Sequence, residues 1–177
     1  LALAKVEQLR QERDAPVVDC GGVVRSVALD LAPLIADRGL DFSLDVQPAP
    51  VRSHEWALRE LCRNLLHNAI KHCPPDSRLS MVMACDSRTA ALSISDSGPG
   101  ISDALRERLF QPFATDHGAR PSSSGSGLGL AICHGIVQSL GGSIDMQNRE
   151  THGRITGLDV TVRLPLAPPD TEVTHGA

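Results

Sequence analysis

The sequence of 177 residues predicts an α+β fold, a two-layer α/β sandwich in which helices cover one face of a mixed sheet. Two observations predict it. Amphipathic segments with apolar residues at helical spacing alternate along the chain with shorter segments in which apolar and polar residues alternate, as they do in strands. Two pairs of the strand-like segments stand at the spacing of hairpins. We expect about five strands in the sheet and three main helices packed on it.

The helical segments have recognisable ends. The longest begins at Glu55 and is stopped by Pro74 and Pro75, because proline removes a helix hydrogen bond and clashes with the preceding turn. Gly39 follows another helix, at the position where a left-handed residue commonly ends a helix. The predicted helices are residues 1–13, 23–38, 55–73, 103–110 and 128–140.

The strand-like segments are short and are bounded by turn residues. Asp86, Ser87 and Arg88 separate two of them as the turn of a hairpin. The predicted strands are residues 16–20, 40–46, 51–53, 79–85, 90–95, 143–148 and 158–164. Residues 112–124 are rich in Gly, Pro and Ser and are expected to form a mobile loop, and the tail 167–177 is expected to be disordered.

The composition is that of a globular protein and excludes several classes. Apolar residues make up 41% of the chain and charged residues 21%, with a net charge of −4. This mild acidity argues against binding to nucleic acid or to a membrane surface, since both require clustered Lys and Arg. No apolar run approaches the roughly 18–20 residues of a transmembrane helix, and no signal peptide is recognisable. Because the chain begins at Leu1, we expect it to be part of a longer protein.

The five cysteines are predicted to be free thiols. Their number is odd, no CxxC pair occurs, and four of them lie within apolar runs, where Cys acts as a small buried hydrophobe. This pattern fits a reducing, cytosolic setting. His67, His72 and Cys73 stand close together, but no second pair of ligands follows at a suitable spacing, so no structural zinc is expected.

A stripe of polar residues runs along the longest predicted helix. At about 100° per residue, Glu60, Asn64, Asn68 and Lys71 fall within one arc of roughly 80°, with His72 at its edge. In a buried helix each of these side chains costs helix propensity or desolvation. The stripe therefore indicates a binding surface, and the alternative is an ordinary solvated face.

A glycine loop follows the strand that ends near residue 95. Asp96 stands at the end of this strand, and Gly98, Pro99 and Gly100 follow. A carboxylate at a strand end, followed by glycines that permit close backbone approach, is suited to hydrogen bonding with a flat heterocycle. The alternative is a plain Asp-Ser-Gly turn.

Three alternating glycines precede the last predicted helix. Gly125, Gly127 and Gly129 lead into it, and the amides and dipole of a helix N-terminus favour an anion such as phosphate. A dinucleotide-binding fingerprint is excluded because no strand precedes the glycines and no acidic residue follows about 20 residues later in a βαβ unit. A Walker A loop is excluded because the Gly-Lys-Ser/Thr ending is absent.

Together, the three motifs and their order resemble the ATP-binding catalytic domain of bacterial two-component sensor histidine kinases, a Bergerat fold shared with Hsp90, type II topoisomerases and mismatch-repair ATPases. NLLHNAIKH (64–72) is similar to the N box of these kinases and DSGPGI (96–101) to the G1 box. LFQPF (109–113) is similar to the F box and GSGLGLAI (125–132) to the G2 box. The resemblance runs from about residue 18 to residue 165, and residues 1–10 also resemble the end of the helical domain that precedes it in such kinases.

The resemblance implies a binding site for ATP and Mg²⁺. Asn68 would be the metal ligand, and Asp96 would accept a hydrogen bond from the adenine amino group. Phe110 and Phe113 would anchor a lid over the nucleotide. The implied catalytic residues are Asn64, Lys71, Glu60 and Arg120, and the implied ligand-binding residues are Asn64, Asn68, Lys71, His72, Asp96, Gly98, Gly100, Ile101, Phe113, Gly125, Ser126, Gly127, Leu128, Gly129 and Leu130. The apolar members of this set are equally consistent with core positions.

Two departures refine what the resemblance implies. In the related ATPases, a Glu that activates water lies one helical turn before the metal-binding Asn, whereas here Asn64 takes that place and cannot act as a general base. A kinase rather than a hydrolase is implied, with Glu60 either as a proton acceptor or as a charge at the rim. The basic residue that usually follows the second Phe of the F box is absent, so His117 or Arg120 would supply the lid cation. Arg120 is preferred because a guanidinium suits the γ-phosphate.

The implied organisation follows from the same resemblance. Residues 1–13 would end the helical dimerisation and phosphoacceptor domain, 14–166 would form the ATP-binding catalytic domain, and 167–177 a disordered tail. The acceptor histidine would lie upstream, in a homodimeric parent of the inner membrane whose cytoplasmic catalytic domain serves a response regulator receiver domain. The chain itself would be monomeric. Alternatives with the same fold are an anti-sigma-type serine kinase or switch protein and a catalytically inactive ATP-binding module.

Overall fold

The computed structural model describes residues 2–11, 14–111 and 128–169. Helices and strands alternate along them as the sequence predicts. The elements are α1 (Ala2–Gln11), β1 (Val17–Asp19), α2 (Cys20–Asp37), β2 (Asp41–Val46), β3 (Pro50–Arg52), α3 (Glu55–His72), β4 (Arg78–Cys85), β5 (Thr89–Ser95), α4 (Asp103–Arg106), α5 (Gly129–Ser139), β6 (Ser143–Thr151) and β7 (Arg154–Pro165).

Five of the strands form one mixed sheet in the spatial order β2-β4-β5-β7-β6. β2 is parallel to β4, and the remaining neighbours are antiparallel. β1 and β3 form a separate antiparallel ribbon of two strands. The predicted α+β class and the five-stranded mixed sheet are confirmed.

The core lies between this sheet and the helices, among which α3 contacts both α2 and α5. Alternate residues of the central strands are buried, including Leu79, Met81 and Met83 on β4 and Leu92 and Ile94 on β5. Each fully buried side chain of this size stabilises the fold by about 1.5–3 kcal/mol relative to an exposed one. Packing of its apolar side in this core fixes α3 in place and leaves its polar stripe at the surface.

The helix α2 begins at Cys20, three residues before the predicted start at Val23. Asp19 caps it, since Oδ1 of Asp19 accepts a hydrogen bond from the amide of Gly21 at 3.0 Å. A Cβ on Gly21 would collide with the carbonyl oxygen of Gln47, so the first turn lies directly against the chain that follows β2. Two consecutive glycines concealed this start, because glycine has a low helix propensity.

The final hairpin is longer than predicted. β6 continues to Thr151 and β7 starts at Arg154, and the two are joined by a turn at His152 and Gly153 with φ values of 52° and 73°. The predicted strand ends at residues 148 and 158 were wrong because the tip is mostly polar and shows no alternation of apolar residues. The predicted helix 103–110 is also shorter, since α4 ends at Arg106.

The helix α1 lies against α5. Val6 and Leu9 on α1 are buried, and a Cβ added to Gly135 on α5 would lie 2.8 Å from a methyl group of Val6. The ammonium group of Lys5 lies 5.8 Å from the centre of the Trp56 ring on α3. The predicted N-terminal helix is confirmed over its described residues, while its assignment to a dimerisation domain stays a prediction.

Three further findings concern cysteines, metals and membranes. Four of the five cysteines, Cys20, Cys62, Cys73 and Cys133, are buried, and all five are free thiols. Among the residues that the structure describes, no cluster of three His, Cys, Asp or Glu side chains is placed to hold a metal ion. Within the same residues, no helix is long and apolar enough to cross a bilayer.

Candidate functional site

The polar stripe predicted on α3 is present along one edge of the helix. Asn64 donates from Nδ2 to Oε1 of Glu60 at 3.1 Å, one helical turn away. Asn68 and Lys71 follow on the same edge and are half-buried. Their side chains make no hydrogen bond or ion pair to any described residue. The apolar residues of α3 that point into the core are Ala57, Leu58, Leu61, Leu65, Leu66, Ala69 and Ile70.

The stripe lies next to the start of α5. A Cβ built on Gly129, the first residue of α5, would be 3.2 Å from Oδ1 of Asn64. Asn64 therefore has its amide nitrogen on Glu60 and its oxygen beside the N-terminus of a helix. The structure brings together two motifs that stand 65 positions apart in the sequence.

Asp96 stands at the end of β5 and is only 4% exposed. Its Oδ1 accepts hydrogen bonds from the amides of Gly98 at 2.8 Å and Leu158 at 3.2 Å. Its backbone amide donates to the carbonyl oxygen of Leu158 at 3.0 Å. No hydrogen bond from a described residue reaches Oδ2, so this oxygen is the acceptor that remains for a ligand.

Removal of water affects the protonation of Asp96 and of its neighbour His72. Burial raises the pKa of the Asp96 carboxyl, although the amides of Gly98 and Leu158 act in the opposite direction. His72 remains partly exposed, but its partial burial lowers its pKa, with the charge of Lys71 adding to the effect. Both shifts favour the neutral forms of the two groups, as expected where burial removes part of the water around a titratable group.

The glycines after Asp96 permit close approaches on both sides of the loop. A Cβ on Gly98 would lie 2.8 Å from the carbonyl oxygen of His72, so the loop packs against the end of α3. Gly100 has a φ of 73°, and a Cβ there would collide with Oδ1 of Asn148. These are two positions where a side chain does not fit.

Asn148 on β6 fastens the loop to the sheet. Its Nδ2 donates to the carbonyl oxygen of Ile101 and its Oδ1 accepts from the Ile101 amide, both at 2.8 Å. Ile101 is 9% exposed and packs in the core. Asn148 was missed by the sequence prediction, because nothing in its local pattern connects it with a loop 47 residues earlier.

Phe110 and the helix α5 form a second contact close to the site. The ring of Phe110 stacks on the imidazole of His134 with centroids 4.7 Å apart and planes 13° apart. Leu128 and Leu130 at the start of α5 pack against the core and are partly exposed. Five predicted site residues, Phe113, Arg120, Gly125, Ser126 and Gly127, lie outside the described residues, and their roles stay predictions.

Comparison with protein families explains this arrangement. The family described as histidine kinase-, DNA gyrase B-, and HSP90-like ATPase matches residues 53–168, which hold α3, the Asp96 loop and α5. The chain belongs to this family. The nucleotide that the family uses is ATP, and the matched residues include all the described residues of the candidate site.

The curated relatives are sensor kinases. The signal transduction histidine-protein kinase BaeS of Escherichia coli is 33% identical over 151 residues, which cover 78% of this chain and 32% of BaeS. The sensor histidine kinase YcbM of Bacillus subtilis is 29% identical over 150 residues, 83% of this chain and 48% of YcbM. This histidine kinase-like chain thus spans about a third to a half of the length of these relatives.

Solved structures agree with the relatives. A mycobacterial sensor histidine kinase, MprB, superposes with a TM-score of 0.76 at 31% identity and covers 87% of this chain and 100% of its own. The Acinetobacter baumannii histidine kinase AdeS, at 24% identity and a TM-score of 0.73, covers 94% of this chain and 75% of its own and shows the fold alone. The predicted family, an ATP-binding catalytic domain of the sensor histidine kinase type, is confirmed.

Proposed function

We propose that this chain binds ATP together with Mg²⁺ and transfers the γ-phosphate to a histidine in the dimerisation domain of its parent protein. The observation that carries the proposal is the convergence of three separate motifs. They are Oδ2 of Asp96, whose loop packs against the end of α3, the polar edge of α3 itself, and the N-terminus of α5, which lies beside Asn64 on that edge. The first suits the amino group of a base, and the other two suit phosphate and its metal.

The nucleotide would lie with its adenine at Asp96 and its phosphates along α3. Oδ2 of Asp96 would accept from the adenine amino group, and the base would lie over Gly98 and Gly100. Lys71 and the first amides of α5 would face the phosphates, since the dipole of a helix N-terminus favours an anion. The ligand-binding roles of His72, Ile101, Leu128, Gly129 and Leu130, and of residues 113 and 125–127, remain part of the proposal.

Mg²⁺ fits the donors on α3. It prefers oxygen ligands, keeps several waters and binds through few protein groups together with substrate phosphates. Asn68 would be the direct ligand of the ion. Asn64, one helical turn earlier, would face the phosphates. When bound, the ion would neutralise charge that develops on the transferring phosphoryl group.

The pair Glu60 and Asn64 supports a kinase rather than a hydrolase. Asn64 has no basic atom that could take a proton from water. The hydrogen bond from its Nδ2 occupies Oε1 of Glu60 and directs its own oxygen toward α5. In this role Glu60 orients Asn64, and the acceptor imidazole brings its own lone pair to the phosphorus.

The remaining partners are proposed for the parent protein. It would be a homodimer held together by helices upstream of this chain, would pass phosphate to a response regulator receiver domain, and would lie in the inner membrane with this domain in the cytoplasm. Arg120 would supply the lid cation. The chain alone would be monomeric.

Calorimetric titration tests nucleotide and metal binding together. ATP should bind the purified chain, and Mg²⁺ should strengthen binding in the wild type but much less in Asn68→Ala. Binding without any metal dependence would identify an inactive module instead.

Transfer is tested separately with radiolabelled ATP. We expect almost no release of inorganic phosphate by the chain alone, and labelling of the parent's dimerisation domain when that domain is added. Several turnovers per minute that disappear in Asn64→Ala would contradict the kinase assignment.

A further inference from the structure

Arg149 on β6 contacts the backbone of Asp96, the residue proposed to bind adenine. Its Nη2 donates a hydrogen bond to the carbonyl oxygen of Asp96 at 2.6 Å, and its Nη1 pairs with Oδ1 of Asp159 on β7. Ser95, the last residue of β5, lies opposite Asp159 in the ladder. One guanidinium therefore connects the end of β5, the neighbouring strand β7 and the strand beyond it.

The backbone around Arg149 leaves room for its side chain to extend to Asp96. Arg149 lies opposite Gly157 in the β6–β7 hairpin, and a Cβ on Gly157 would collide with both the Asp96 carbonyl oxygen and the guanidinium. The register shifts between Arg149 and Glu150, as at a β-bulge, a feature that can change the direction of a side chain. A glycine and a bulge thus accompany the contact.

The hydrogen bond from Arg149 is the last of those that hold Asp96 in place. The amide of Asp96 donates to Leu158, Oδ1 accepts from Gly98 and Leu158, and the carbonyl oxygen accepts from Arg149. Three of its four polar atoms are occupied, and only Oδ2 is left. The direction of Oδ2 is therefore set by the bonds that hold the other three atoms.

We propose that Arg149 is a positioning residue for base recognition, which fixes the Asp96 peptide so that Oδ2 meets the exocyclic amino group of adenine. The proposal rests on the proposed ATP-binding function. A charged, planar guanidinium can bridge a carbonyl oxygen and a carboxylate at once, whereas the ammonium group of a lysine is a single point charge. The side chain of Arg149 is 38% exposed, so substitution does not open the core.

The test compares two nucleotides that differ only in the amino group of the base. ATP and purine riboside 5′-triphosphate, which lacks this group, are titrated calorimetrically into the chain. Arg149→Met should weaken ATP binding by about tenfold, the order of one charge-assisted hydrogen bond, and the purine nucleotide by less than about twofold. Arg149→Lys should fall between. Arg154→Met, an exposed arginine on the same hairpin, should change neither.

A second background separates positioning from general stability. In Asp96→Ala, the preference for ATP should vanish, and adding Arg149→Met should then leave the ratio of the two affinities unchanged. Equal weakening of both nucleotides by Arg149→Met alone would assign it a purely structural role and overturn the inference.

Two further outcomes are informative. If Arg149→Met does not fold, as judged by its thermal unfolding, Arg149→Lys and Asp159→Asn are compared instead, and unchanged selectivity in both would overturn the inference. If the wild type binds ATP no better than the purine nucleotide, or Asp96→Ala keeps the preference, the proposed role of Asp96 fails first. A wild-type preference for ATP that substitution of Arg149 leaves unchanged would overturn only the role of Arg149.

Discussion

The adenine end and the phosphate end of the proposed site are built differently. At the adenine end, three of the four polar atoms of Asp96 are held by protein groups, and Asn148 fastens the following loop at Ile101. At the phosphate end, the side chains of Asn68 and Lys71 make no hydrogen bond or ion pair to any described residue. The first end is organised before a ligand arrives, whereas the second leaves its polar groups for the ligand to pair.

This difference assigns a separate task to each end. A preorganised group binds without ordering costs, while a free lysine side chain loses up to about 2 kcal/mol of rotamer entropy when a ligand fixes it. The adenine end should therefore determine affinity and base selectivity. The phosphate end should determine how binding responds to Mg²⁺.

Asp96→Asn should have the largest effect on the adenine end. The site requires acceptors on both side-chain positions, because the amides of Gly98 and Leu158 face one oxygen and the adenine amino group would face the other. An amide has only one oxygen, so either orientation leaves a donor unpaired. ATP affinity should fall about 10- to 100-fold by calorimetry. Asp145→Asn, an exposed change on β6, is the control, and an unchanged affinity in Asp96→Asn would remove Asp96 from the site.

Gly100→Ala should disturb the same end through the backbone. The residue has a φ of 73°, and the added Cβ would collide with Oδ1 of Asn148, the atom that holds Ile101. We expect a loss of about 2 kcal/mol in the free energy of unfolding, measured by urea denaturation, from the positive φ and the crowding together.

Gly141→Ala separates the two contributions to that loss. Gly141 has a φ of 71°, but open space surrounds its Cβ position. It should lose only about 1 kcal/mol, since the backbone penalty acts alone. Equal losses in the two variants would show that the contact with Asn148 adds nothing to the rigidity of the loop.

The sequence predicts the groups that are proposed to touch the nucleotide better than the groups that hold them in place. Asp96, Gly98, Asn64 and Gly129 belong to short motifs whose spacing follows from one helix or one loop. Arg149 acts on a residue 53 positions earlier in the chain through a bulge in a longer hairpin. Neither the bulge nor the register of β6 on β7 is determined by local pattern, so this support becomes visible only in the folded chain.

The same contrast explains the errors in the elements. Strands β4 and β5 were predicted to within a residue because their buried positions alternate strictly. The tip of the last hairpin, by contrast, is mostly polar and carries no such signal, although the pairing of the two strands extends to Thr151 and Arg154. The start of α2 depends on the cap formed by Asp19, which the following glycines concealed.

Glu60→Ala should affect the phosphate end moderately. Loss of the hydrogen bond from Asn64 frees the amide, so the orientation of its oxygen toward α5 is no longer fixed. The gain in ATP affinity on adding Mg²⁺ should shrink about threefold. This is the effect expected from losing one hydrogen bond between a neutral amide and a carboxylate near the surface. Glu55→Ala removes the same charge from an exposed pair on α3 and should leave that gain unchanged. A larger gain in Glu60→Ala would contradict the orienting role.

The smallest effect is expected at His72, on the rim between the two ends. Crowding and the nearby charge of Lys71 lower its pKa in the folded chain, so the unfolded chain binds the proton more readily. Its contribution to stability is therefore present above the unfolded pKa, about 6.5, and is lost as the pH falls through the lower folded value. Between pH 8 and pH 5, the melting temperature of the wild type should fall more than that of His72→Gln, by a small amount because His72 is exposed and solvent screens its charge.

The matched control for this measurement is His67→Gln, an exposed position on the same helix. It should retain the pH dependence of the wild type, since removal of a different imidazole leaves His72 in place. Parallel profiles for the wild type and His72→Gln would mean that water reaches the ring from all sides. Desolvation would then be confined to Asp96 itself, and the boundary between the rigid and the open end would lie at the loop rather than at the end of α3.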